Sequence, residues 1–132
     1  MTIQLVCLLI GTLLPYVWAG SSLPFRNRQF GNIDLNEPRV QGEQLVDRGA
    51  RAWGSQMNAW EALIVFSVAN AAAFAAGVDP SGSWAMAAPI WVAARVFHGI
   101  FYIAGLAPLR VLSFVVGLAM SVWIFVMALS AA

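Results

Sequence analysis

Four apolar stretches, each about as long as a bilayer core is thick, leave this chain few ways to fold. Crossing hydrocarbon takes about 20 helical residues, because each residue advances a helix by only ~1.5 Å. No water is present there to satisfy a broken backbone hydrogen bond, so the spans must be helical or form a closed barrel. Runs over approximately residues 2–22, 52–77, 84–105 and 108–129 meet that length, and the 132-residue chain has little left beyond them. Hydrophobic residues make up 61% of the sequence and charged ones 10%, whereas charged residues approach a quarter of a soluble domain. The expectation is one all-α domain over residues 1–132, an integral membrane four-helix bundle running up-down-up-down.

The connections refine that picture. No basic segment precedes the first apolar run, so it is expected to stay as an uncleaved span, bent at Pro15. The one long polar segment, residues 23–48, reads as an aqueous loop free to fold back over the bundle. VDPSGS (Val78 to Ser83) makes a tight turn, and only two or three residues join the last two spans, so these form an antiparallel pair. Pro108 suits the first turn of the fourth span, and Ser113, Gly117 and Ser121 form a small-residue stripe along it. All seven basic residues are arginine, and none lies in the turn at Asp79. The positive-inside rule then puts the 23–48 loop and the turn between spans three and four in the cytoplasm, with both termini on the extracytoplasmic side. A net charge of +1 with no lysine gives no basis for nucleic-acid binding. Cys7 is the lone cysteine and lies in apolar sequence, so it reads as a buried, inert thiol.

Polar residues gather at the loop end of the spans. Arg51, Asn58 and Glu61 are offset by seven and then three, which keeps them on one face at the entry of span two. Arg95, His98 and Tyr102 share a face of span three, and Arg110 begins span four. Counted from the outer turn, Arg95 lies roughly 16 Å deep and Glu61 roughly 24 Å. A mid-membrane arginine costs about 2.5–3.5 kcal/mol even on the lenient scale. That cost predicts a buried Arg95–Glu61 ion pair or a shared hydrogen-bond network.

Each of these residues also has a plainer reading. Arg95 with Glu61 would serve as a structural clamp, His98 as a hydrogen-bonded core histidine, Tyr102 as an interfacial anchor and Arg110 as a topology marker. No second histidine or cysteine accompanies His98 at ligand spacing, so neither a metal nor a haem site is expected. Taken together, Arg51, Arg95 and Arg110, with Arg26 or Arg28 nearby, would surround one pocket with cations. Such a pocket suits a small multi-carboxylate ligand and favours the thiolate of a bound thiol, whose free pKa is about 8.5. Tyr102 or Arg110 could donate to that sulfur while an apolar co-substrate approaches from the lipid.

RAWGSQMNAWE (Arg51 to Glu61), RVFHGIFY (Arg95 to Tyr102) and the following APLR, ending in Arg110, resemble the MAPEG family. These are the membrane-associated proteins in eicosanoid and glutathione metabolism, small four-span proteins that include microsomal glutathione transferases. The resemblance implies a homotrimer with glutathione between neighbouring subunits near the cytoplasmic face. It implies that Arg51, Asn58, Glu61, Arg95, His98 and Tyr102 hold glutathione, and that Arg110, with Tyr102, activates its thiol. Two departures stand out. Gly54 occupies a position where many catalytic members carry a second arginine, and Ala62 one where some carry a tyrosine.

The expected function is a membrane-embedded, glutathione-dependent transferase or peroxidase acting on lipophilic electrophiles or hydroperoxides. The expected location is a bacterial inner membrane, with the active site facing the cytoplasm and membrane lipid around the protein. The alternatives are a non-catalytic MAPEG-like module binding a lipid or partner protein, and a small transporter using Glu61 as a proton-coupled carboxylate.

Overall fold

The computed structural model describes residues 1–132, and every regular element in it is helical. In chain order these are α1 (Thr2–Phe30), α2 (Pro38–Glu43), α3 (Asp47–Ala75), α4 (Ser83–Ala104) and α5 (Ala107–Ala131). The four long ones are apolar and long enough to cross a membrane, as the four spans required.

The polar segment departs from its expected form. The helix of α1 continues past residue 22 to Phe30, and α2 forms within the expected loop. The extension has a specific support, because Ser22 and Arg26, one turn apart, are both buried. Arg26 Nη1 donates to the carbonyl of Pro38 at 2.6 Å and to Gln41 Oε1 at 3.3 Å, pinning α2 against the end of α1. Gly31 then stops the helix at φ 76, a left-handed conformation that glycine adopts without penalty.

The helices α3 and α4 form the centre, with α1 on one side of them and α5 on the other; α1 and α5 do not meet. The core between them combines small and large residues. Ala69, Ala73 and Ala88 are fully buried and let the backbones come close, while Phe66 and Trp91 stack with centroids 3.8 Å apart. Two buried amides tie the helices together here. Asn70 Oδ1 accepts from Trp84 Nε1 at 2.8 Å, and Gln4 Nε2 donates to the Pro80 carbonyl at 2.8 Å.

Between 28% and 39% of each span's most apolar stretch is buried inside the chain. Leucines, valines and isoleucines along all four helices therefore face outward, where water is a poor solvent for them. That surface belongs in lipid or against another protein, and the chain is an integral membrane protein.

Candidate functional site

The turn from α4 to α5 sets the site. Gly105 closes α4 at φ 78, and α5 begins two residues later with Pro108 in its first turn. This hairpin holds the last turn of α4 beside the first turn of α5, and the guanidinium of Arg110 lies 4.5 Å from the ring centroid of Tyr102. A cation over a tyrosine face is attracted by the ring quadrupole. His98, one turn earlier on α4, packs edge-on to the same ring at 5.5 Å. The entry of α3 supplies the opposite wall. Asn58, Glu61, His98, Tyr102 and Arg110 thus line one cavity of about 440 Å³, with Gly54 and Phe114 among its other walls.

Arg95 sits deeper and is almost wholly buried. Its Nη2 donates to Asn58 Oδ1 at 2.5 Å and lies 3.3 Å from His98 Nδ1. A guanidinium can only donate, so His98 Nδ1 must be the acceptor and its ring proton resides on Nε2. Asn58 Nδ2 in turn donates to Glu61 Oε2 at 3.3 Å. The direct Arg95–Glu61 ion pair is therefore replaced by the shared network. Asn58 and Glu61 are three residues apart on one face of α3, and the shorter amide side chain takes the place next to the guanidinium.

Not every arginine joins the cavity. Arg51 Nε donates to the Ile103 carbonyl at 3.2 Å, near the C-terminal end of α4. It lines a smaller neighbouring cavity of about 160 Å³, whose wall also includes Tyr102 and Arg110. Arg26 lies on the other flank of α3, stacked on Trp53 at 5.4 Å in a cavity of about 820 Å³ beneath α2. Within one chain it lines a different cavity from Arg110. Arg28 is exposed on the outside of α1.

The glycine at position 54 has a structural counterpart. A Cβ built there would lie 2.6 Å from Tyr102 Oη, so the phenol occupies the space that a longer residue would need. Sequence reasoning missed Gln41, Gln4 and Asn70 as organising residues, and also Gln56, whose Oε1 is buried without a partner beside the Arg26 cavity. Gln4 and Asn70 carried a readable signal: a lone amide in an apolar run must find a hydrogen bond.

Four membrane-length helices with a polar, arginine-bearing cavity let into one end define an integral membrane protein that can hold a charged guest beside lipid. The model of the MAPEG family matches residues 3–130 of the chain. The chain belongs to that family, and is thus a membrane protein of the glutathione and eicosanoid metabolism group. No curated protein and no solved structure matches it.

Proposed function

We propose that the chain is a glutathione-dependent transferase or peroxidase that acts on lipophilic electrophiles or hydroperoxides. The observation that carries this reading is the stacking of Arg110 over Tyr102 on the wall of a cavity shared with Asn58, Glu61 and His98. Glutathione, when bound, supplies a nucleophilic thiol. The donors of this chain suit it: Arg110 offers a cation for charge at sulfur, and the phenol of Tyr102 a hydrogen bond. Asn58 and Glu61 present an amide and a carboxylate for peptide and ammonium groups, and Arg51 adds a cation beside the α4–α5 turn.

A homotrimer is part of the same reading. Each chain offers polar cavities on both flanks of α3, and the one that holds Arg26 would gain a facing wall from a neighbour. The arginine distribution supports a site on the cytoplasmic side, here of a bacterial inner membrane.

One observation favours the non-catalytic alternative. Arg26 and Arg95 are hydrogen-bonded inside the chain and Arg51 to its backbone, which leaves Arg110 as the cation freest to act. Titration of glutathione by thiolate absorbance, with purified protein present, separates the two readings. A transferase lowers the thiol pKa toward neutrality, and Arg110→Ala restores it toward about 8.5. If no thiolate forms near pH 7 and Arg110→Ala changes nothing, the catalytic reading fails.

A further inference from the structure

Arg95 is not on the wall of the Arg110 cavity, yet it is bonded to two residues that are. Its Nη2 donates to Asn58 Oδ1 at 2.5 Å and lies 3.3 Å from His98 Nδ1. That nitrogen carries two N–H groups, one for each acceptor. Arg95 itself is 3% exposed, so whatever it does for a guest it does through these partners.

A clamp between helices accounts for only half of this arrangement. The bond to Asn58 ties α4 to α3, but the contact with His98 lies within α4, three residues along the same helix, and joins no two elements. What it changes is His98 itself. A neutral imidazole has one donor and one acceptor nitrogen, and a primary amide has an oxygen and an NH₂ group. Left alone, either ring nitrogen can carry the proton and the amide can turn over. A guanidinium only donates, so it claims the acceptor of each: Nδ1 of His98 and Oδ1 of Asn58. The polar atoms left over are His98 Nε2–H and the Asn58 NH₂, which donates to Glu61 Oε2 at 3.3 Å. What both side chains have left to offer a guest is N–H.

We propose that Arg95 is a positioning residue that sets the hydrogen-bond polarity of the cavity wall. It fixes His98 as the Nε2–H tautomer and Asn58 with its oxygen turned to the guanidinium, so that this part of the wall selects a guest by its acceptor atoms. Carboxylate, peptide carbonyl and thiolate groups meet donors there, alongside Tyr102 and Arg110, and Glu61 is the one carboxylate on the wall. A guest that brings donors to His98 leaves them unpaired and loses affinity. The inference rests on the proposed function only in taking glutathione as the guest.

His98 is the only histidine in the chain, so ¹⁵N-histidine labelling gives a single ring to observe by NMR. The sample is purified full-length chain in detergent at neutral pH, without any thiol. Nε2 should carry a proton and Nδ1 none, and with labelled arginine Nδ1 should couple across the hydrogen bond to a guanidinium nitrogen. Arg95→Met should lose that coupling and leave a mixture of ring states. Calorimetry should then show glutathione binding the variant about tenfold more weakly, the worth of one hydrogen bond. A native ring protonated on Nδ1, on both nitrogens or as a mixture overturns the proposal, and so does a native Nδ1 with no guanidinium coupling. An Arg95→Met ring that keeps the native tautomer, as a purely structural clamp requires, overturns it as well, as does an unchanged glutathione affinity. The expected ring states with no glutathione binding to the native chain sink the transferase reading alone. Glutathione binding with any other native ring state sinks this inference alone.

Discussion

Tyr102 lies where a side chain at position 54 would have to go: a Cβ on Gly54 would meet the phenolic oxygen at 2.6 Å. The glycine on α3 and the tyrosine on α4 are therefore one feature. The absence of a second arginine at this position makes room for the phenol on the wall of the Arg110 cavity.

Gly54→Ala should push the Tyr102 ring off that wall. Because the far end of a side chain can shift, the stability loss should be modest, about 1 kcal/mol at the low end of overpacking costs. The functional loss should be larger. Displacing one preorganised donor from the thiol costs about 10²-fold in rate on the scale of other electrostatic sites. Thermal unfolding together with glutathione-conjugation kinetics checks both, and an unchanged rate would show that Tyr102 is not a donor there.

Asn58 joins Arg95 to Glu61, so its loss should be felt mainly by the cation. Asn58→Ala strips the buried guanidinium of its 2.5 Å acceptor. Leaving a buried donor without its acceptor costs about 1–3 kcal/mol, toward the upper end for a charged group. Asn58→Asp should lose less, because a carboxylate there accepts the same hydrogen bond and adds charge opposite to the guanidinium, though it forfeits the donor to Glu61 and sets a like charge beside it. Unfolding midpoints in detergent should rank native, then Asp, then Ala, and equal losses for the two variants would contradict the network.

The spans were legible because hydrophobic length is a local property of the sequence, and so was the convergence of Asn58, Tyr102 and Arg110 at one end. Antiparallel helices that share a short turn must bring those ends together. Three other things were not local. The α1 extension through Arg26 looks like loop by composition, and its helix is stabilised by acceptors on α2, twelve and fifteen residues away. Arg51 shares a helical face with Asn58, but its side chain is captured by the carbonyl of Ile103 on α4. The choice between an Arg95–Glu61 ion pair and a shared network rested on depth along the helices, and depth could not reveal that Asn58 stands between them.

The turn between α3 and α4, outside the spans, makes a pH prediction. Asp79 accepts hydrogen bonds from the Ser81 backbone N–H at 2.9 Å and the Ser81 hydroxyl at 2.8 Å, and these hold its carboxyl below the ordinary value of 3.8. A carboxyl whose pKa is depressed by folding stabilises the folded state fully above its unfolded pKa. That contribution fades as pH falls below about 3.8 toward the lower folded value. Asp79→Asn should therefore flatten the acid limb by lowering stability slightly above about pH 4, with the native and variant profiles converging at lower pH. Unfolding midpoints between about pH 2 and 6 would show it.

The Asn70–Trp84 bond isolates stability from chemistry, because it lies in the core at the opposite end of α3 from Asn58. Asn70 Oδ1 accepts from the indole at 2.8 Å, and Asn70 Nδ2 donates to the Phe66 carbonyl at 2.7 Å, so both ends of the amide are in use. Trp84→Phe removes the donor and leaves a buried carbonyl oxygen unpaired, at a cost of about 1–3 kcal/mol plus some lost packing. Once Asn70→Ala has removed the acceptor, the same Trp84→Phe change should cost less. A double-mutant cycle on unfolding free energy should thus give a coupling of roughly 0.5–3 kcal/mol. The thiolate titration should not respond to either change. A shift there would mean that the far end of the bundle reports to the Arg110 cavity, and additive losses would mean that the hydrogen bond contributes little to stability.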